Sequence, residues 1–173
     1  MKFIFLHLTK CAGNFTEEYL LKCFPNSEMR GSVYNIEIDK WGSNGGRHLP
    51  IKSSDVKGRY VIGNIRNPWD WYVSLWASNT KRKQCSFNEF ITDLLINHKS
   101  PSNLPEGALF VPKNRKIGLL QTRYDFTFKT HPDYICKVEN LKDDLIECFN
   151  ELKQPLTTEQ IGLYDIIINK MKS

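Results

Sequence analysis

The sequence predicts an α/β domain, a three-layer arrangement with a central parallel sheet and helices on both faces, and two observations carry that prediction. Apolar runs of strand length, Phe3 to Leu8 and Arg59 to Ile65, alternate with stretches whose apolar residues recur at helical spacing. Both runs also lead directly into a helix through a short loop holding one basic residue, Lys10 in the first and Arg66 in the second. In open parallel sheets ligands collect outside the carboxyl ends of the strands, so the two junctions are expected on one edge. No repeat, low-complexity tract or linker divides the 173 residues, and residues 1–173 are read as one domain.

In chain order, the first strand takes Phe3, Ile4, Phe5, Leu6 and Leu8, and the first helix shows Phe15, Tyr19, Cys23 and Leu20, Phe24 at helical spacing before Pro25. Between them lies Thr9-Lys10-Cys11-Ala12-Gly13-Asn14, small residues around one lysine. The first N–H groups of a helix have no intrahelical partner and carry partial positive charge, so this loop, running on to Phe15, reads as an anion site to which Lys10 adds a full charge. The phosphate loop of nucleotide hydrolases, GxxxxGK[ST], does not fit, because the lysine here precedes the Ala-Gly pair and no glycine stands before it in the loop.

Ser32 to Ile38 alternates apolar residues at Val33, Tyr34, Ile36 and Ile38 and reads as a second strand. Asp39 to Lys57, with Gly42, Gly45, Gly46 and Pro50, reads as loop. It contains His48, which has no apolar helix face to explain it and is either exposed surface or a functional side chain. The strand Arg59 to Ile65 then meets Arg66-Asn67-Pro68-Trp69-Asp70. Asn67 suits a cap, Pro68 the first helical position and Asp70 the first turn, with an aromatic stripe expected at Trp69, Tyr72, Val73 and Trp76. The stripe leaves Arg66 and Ser74 unexplained; a guanidinium fork and a hydroxyl converging across a junction suit a phosphate.

Ser86-Phe87-Asn88-Glu89 is a capping box opening a helix with Phe87, Phe90, Ile91, Leu94 and Leu95 on one face. Asn97 to Arg115, rich in proline, is an irregular loop, equally a lid or plain surface. Lys81 to Lys83 and Lys113 to Lys116 are basic clusters, of a kind that is most often solvated surface. Lys137 to Asp144 forms another strand-to-helix step, and Thr157 to Met171, with Ile161, Tyr164, Ile168 and Met171 in register, forms a packing helix.

These segments together resemble the sulfotransferases that use 3′-phosphoadenosine 5′-phosphosulfate (PAPS), most closely the carbohydrate, heparan-sulfate-type enzymes. His7 to Asn14 is similar to their 5′-phosphosulfate loop, HxPKTAGT, with Thr9 in the proline position and Cys11 and Asn14 in the two threonine positions. RNPWDWYVSLW is similar to their 3′-phosphate segment, RNPxxRxVSxY, with Arg66 and Ser74 at the family spacing and Trp71 in place of an arginine. Lys137-Val138-Glu139-Asn140-Leu141 resembles RxENL near the family's C-terminal end, and His48 their acceptor-side histidine. The resemblance covers roughly Phe3 to Leu152. It implies a P-loop-like sulfotransferase fold, PAPS as donor and 3′-phosphoadenosine 5′-phosphate (PAP) as product. Thr9, Lys10, Cys11, Ala12, Gly13, Asn14, Phe15, Arg66 and Ser74 are then the nucleotide-binding residues and a carbohydrate hydroxyl the favoured acceptor.

Charge supplies a mechanism for that expectation. Sulfuryl transfer moves negative charge onto the leaving oxygen, which Lys10 and the amides of Cys11 to Asn14 would stabilise, and strips a proton from the acceptor, for which His48 is the candidate base. Glu37, Asp39 and Asp55 stand as alternative bases. Nothing in the reaction calls for a metal, and His7, His48, His98, His131 and the cysteines show no ligand spacing.

Composition frames these readings. Hydrophobic content of 40% and charged content of 25% are ordinary for a globular chain. The net charge of +5 fits an anionic ligand and a scatter of surface lysines equally. Five cysteines without CxxC spacing read as reduced thiols, and no apolar run approaches the roughly 18 residues of a membrane span. The expectation is a cytoplasmic protein without a membrane anchor and without a nucleic-acid partner. A kinase of related fold would need magnesium ligands, and a non-enzymatic polyanion binder would rest on charge alone; both are the rival classes.

Overall fold

In the computed structural model, which describes residues 3–25, 56–78, 85–96, 119–129 and 131–172, three parallel strands form one sheet. They are β1 (Phe3–Leu6), β2 (Tyr60–Ile65) and β3 (Tyr134–Lys137), with β2 in the centre. Phe3 lies opposite Tyr60 and Leu6 opposite Gly63, while Ile62 lies opposite Tyr134 and Ile65 opposite Lys137. Parallel neighbours require crossovers, and helices supply them. α1 (Gly13–Cys23) follows β1; α2 (Pro68–Ala77), α3 (Phe87–Ile91) and α4 (Leu119–Thr127) lie between β2 and β3. α5 (Leu141–Glu151) and α6 (Thr158–Lys172) follow β3. The α/β expectation is met in this form.

Alternation along the strands sorts the core into two clusters, one on each side of the sheet. Phe3, Phe5, Ile62 and Cys136 meet Phe15, Tyr19 and Leu20 of α1, Leu145 and Phe149 of α5, and Tyr164 and Ile167 of α6. Ile4, Leu6 and Val61 meet Trp71, Tyr72 and Leu75 of α2, Phe90, Leu94, Leu119 and Phe128. The second cluster reaches the strands closely at Gly63, where a Cβ would sit 2.7 Å from Phe128 Cε1. Glycine is therefore what lets that ring lie on β2.

Local chemistry sets the helix ends. Asn67 Oδ1 accepts from the Trp69 amide at 2.9 Å, with Pro68 at the first position of α2. Ser86 and Glu89 form the expected capping box, and those hydrogen bonds hold the Glu89 carboxyl below the usual carboxylate range. α3 continues as a π-helical turn, Thr92–Ile96, that buries Leu94. α6 docks on α1 through Gln160, whose Nε2 donates to Cys23 O at 2.7 Å and whose carbonyl accepts from the Tyr19 hydroxyl at 3.1 Å.

One expectation changes. The stripe on α2 is rotated: Trp71, Tyr72 and Leu75 are buried, whereas Trp69 and Val73 are 72% and 45% exposed. Trp71 wins the interior because its indole N–H reaches a backbone acceptor there, Thr9 O at 2.6 Å. The third strand-to-helix step falls where expected: the strand Tyr134–Lys137 ends at Lys137, and Val138–Asn140 is a 3-10 turn before α5. The strand at Ser32 to Ile38, the glycine-rich loop with His48, the segment Asn97 to Arg115 and both basic clusters lie outside the described residues. No helix among the described residues is long and apolar enough to cross a membrane.

Phe149 is fully buried, edge-on to Phe3 at 5.5 Å and stacked on Phe24 at 4.8 Å. Phe149→Ala is expected to lower unfolding free energy by about 3 to 5 kcal/mol in denaturant titrations. Trp69→Ala, on the exposed face of α2, is expected to stay within about 0.5 kcal/mol in the same titrations.

Candidate functional site

The loop after β1 is fixed by what its carbonyl groups do. Leu8 O accepts from the Cys11 amide at 3.2 Å, and Thr9 O from Trp71 Nε1. Cys11 O accepts from Asn64 Nδ2 at 3.1 Å, and Ala12 O from both the Thr16 amide, at 3.0 Å, and the Thr16 hydroxyl, at 3.2 Å. Across a trans peptide the C=O of one residue and the N–H of the next point in opposite directions. Carbonyls of Thr9, Cys11 and Ala12 drawn into the protein therefore turn the amides of Lys10, Ala12 and Gly13 the other way. The backbone takes left-handed φ at two non-glycine residues to do this, 66° at Lys10 and 55° at Ala12.

α1 opens from this loop with Ala12 as its N-cap residue and no side-chain cap bond, and its first turn holds no acidic residue. The outward amides of Ala12 and Gly13 and the helix dipole are thus placed to receive an anion, in contrast to the capped starts of α2 and α3. The buried His7 ring packs so closely on Gly13 that a Cβ there would overlap it, and its Nδ1 lies 3.2 Å from Glu17 Oε1.

The second junction is held from β3's side. The Asn67 amide donates to Glu139 Oε1 at 2.6 Å, and Glu139 is itself seated in a turn whose Lys137 amide and Asn140 side chain both donate to the buried Asp144 carboxylate, at 2.6 and 2.7 Å. The KVENLKDD stretch is therefore a brace for the Arg66 junction. Arg66 is half-buried at the end of β2, and Ser74 is half-buried on α2. Neither side chain makes a hydrogen bond or ion pair among the described residues.

Both junctions open on one cavity of about 590 Å³. Thr9, Lys10, Ala12, Gly13, Asn14, Phe15, Arg66 and Ser74, eight of the residues singled out in the sequence, line it. Cys11 does not. Its side chain is fully buried on the α2 side and its amide is spent on Leu8 O, so the expectation that Cys11 joins the anion cradle is corrected. Burial, only partly offset by the charge of Arg66 and reinforced by Glu139, pushes the Cys11 thiol up to about 12, a protonated group with no nucleophilic role at neutral pH. His48 lies outside the described residues.

Six lining residues were not singled out as site residues: His7, Val138, Leu141, Tyr164, Ile168 and Met171. Five of them make an apolar wall. The 3-10 turn and α5 contribute Val138 and Leu141, and α6 the other three. The helical register of Tyr164, Ile168 and Met171 was visible, but a packing stripe and a cavity wall have the same pattern. Tyr164 is anchored edge-on to Phe15 at 4.7 Å. Among the described residues no three His, Cys, Asp or Glu side chains gather as a metal site.

No family model, curated protein or solved structure matches the chain.

Gly13→Ala is expected to force His7 and the start of α1 apart, lowering stability by about 1 to 3 kcal/mol and weakening anion binding. Denaturant titration and phosphate-competition binding measure the two effects.

Proposed function

We propose that the chain is a PAPS-dependent sulfotransferase that transfers a sulfuryl group to an acceptor hydroxyl, with a carbohydrate as the favoured acceptor. One observation carries this reading: a single cavity is lined at once by the uncapped α1 loop with Lys10 and by Arg66 with Ser74. Two anion sites beside an apolar wall suit a nucleotide bearing phosphate-like groups at two positions. The volume lies in the range of small-molecule sites, about 300 to 1,000 Å³. The P-loop-like sulfotransferase fold belongs to the same proposal.

The donor supplies the activated sulfuryl group, and the chain's residues supply charge and position. Lys10 and the outward amides of Ala12 and Gly13 meet the negative charge that grows on the leaving oxygen; preorganised donors of this type contribute on the order of 3 kcal/mol each. Arg66, with Ser74 across the junction, holds the second phosphate through paired charge-assisted hydrogen bonds. Val138, Leu141, Tyr164, Ile168 and Met171 exclude water from the base. His48 is assigned the acceptor's proton on the strength of the family resemblance, with Glu37, Asp39 and Asp55 as the alternatives.

Calorimetry tests the cofactor. PAP is expected to bind at least about tenfold more tightly than AMP or ATP, and Arg66→Ala to cost about 2 to 5 kcal/mol of PAP binding. Equal affinity for AMP would remove the role given to Arg66 and Ser74. With radiolabelled donor and a panel of acceptors, turnover is expected to survive a metal chelator, which separates this reading from a kinase.

Turnover assigns the reacting groups. Lys10→Ala is expected to lower kcat by more than it weakens PAP binding, because its interaction grows toward the transition state. His48→Ala is expected to lower kcat by at least about a hundredfold with PAP affinity unchanged. Full turnover in the His48 variant would move the proton to one of the three carboxylates.

A further inference from the structure

Two buried donors tie the first anion subsite to the second. Asn64 is fully buried on β2, two residues ahead of Arg66, and its Nδ2 donates to Cys11 O at 3.1 Å and to Thr16 Oγ1 at 2.7 Å. Trp71 is fully buried on α2, three residues ahead of Ser74, and its Nε1 donates to Thr9 O at 2.6 Å. Each segment that presents a residue of the second subsite thus also grips a carbonyl of the Lys10 loop. Asn64 is not there for its own satisfaction, since its Oδ1 is buried without a partner among the described residues. Its orientation is fixed by the acceptor it serves: turned over, it would set one carbonyl oxygen against another at Cys11. The loop they grip holds two left-handed non-glycine residues, Lys10 and Ala12, a conformation that persists only where its surroundings impose it.

We propose that Asn64 and Trp71 are positioning residues that fix the spacing between the two anion subsites, and so set a preference for a ligand carrying two phosphate-like groups over a ligand carrying one. This rests on the nucleotide reading above for the ligand's identity. A single anion can follow a loosened loop and keep its contacts. A ligand that must reach both subsites cannot, because relaxing the loop changes the distance it has to span. Losing either donor therefore lowers the discrimination between the two ligands, which a general loss of stability does not do.

The test is calorimetric titration of adenosine 3′,5′-bisphosphate and adenosine 5′-monophosphate into the full chain, the Asn64→Leu and Trp71→Phe variants, and Arg66→Ala as a reference, with melting temperatures recorded beside them. The bisphosphate is expected to lose at least about tenfold in affinity in both positioning variants, and the monophosphate less than about threefold. If Asn64→Leu folds poorly, Trp71→Phe carries the same comparison, since it deletes the N–H and keeps an aromatic ring against Tyr72. A wild-type preference for the bisphosphate that Arg66→Ala abolishes, while both positioning variants retain it or lose the two ligands equally, overturns this inference and leaves the nucleotide reading standing. No preference in the wild type overturns both.

Discussion

The site depends on which way four carbonyl groups point. Leu8, Thr9, Cys11 and Ala12 all have their oxygens engaged by the protein, from an amide within the turn, an indole, an asparagine and a threonine. A peptide has a donor side and an acceptor side, so committing the acceptors inward presents the donors outward. The anion cradle is then a by-product of interior hydrogen bonding, and Lys10 only adds to a polarity the backbone already has. The same rule disposes of Cys11, which sits inside the motif yet has both its amide and its thiol turned away from the cavity.

Around that loop the chain departs from the choices that favour a stable helix start. Alanine is a poor N-cap, left-handed φ is costly without glycine, and a buried amide oxygen lacks a partner at Asn64. Elsewhere in the chain α2 and α3 begin with an asparagine cap and a full capping box. The sequence can therefore cap its helices, and it withholds the cap where the cavity lies. Among the described residues, two of the three left-handed non-glycine residues fall in this one loop, the third being Lys153 beyond α5, and such a concentration is the pattern of a binding site held in place by its scaffold.

Much of this was legible beforehand. Strand-to-helix junctions with one basic residue each predicted both β1 into α1 and β2 into α2, and eight of the expected binding residues meet at the cavity. What escaped did so for physical reasons. Trp69 and Trp71 are two residues apart, so periodicity admits either as the buried indole, and the choice fell to a hydrogen bond that the Trp71 indole donates to Thr9 O across 62 positions of sequence. Leu120 and Tyr124 of α4 and Phe128 just after it are four apart, but the preceding proline-rich stretch hid the helix's start. His7 drew no site assignment of its own from the sequence, because its partner, Glu17, lies across the loop on α1. The α6 part of the apolar wall was read as packing, since Tyr164 does pack on Phe15 while it also lines the cavity.

The distance along the chain between the cavity's parts has a consequence for how the protein comes into being. The wall on α6 includes Met171, whereas the cradle begins at His7, and α6 reaches α1 through hydrogen bonds spanning 137 and 141 positions. A ribosome releases the cradle long before it releases that wall. An early nascent chain holds an anion loop without its apolar flank, and the Arg66 junction without the Glu139 carboxylate that braces it. Contacts of such long range form late and slowly. A ligand that needs both sides of the cavity would stabilise the finished domain without guiding its assembly, so the early stages of folding fall to the local junctions alone.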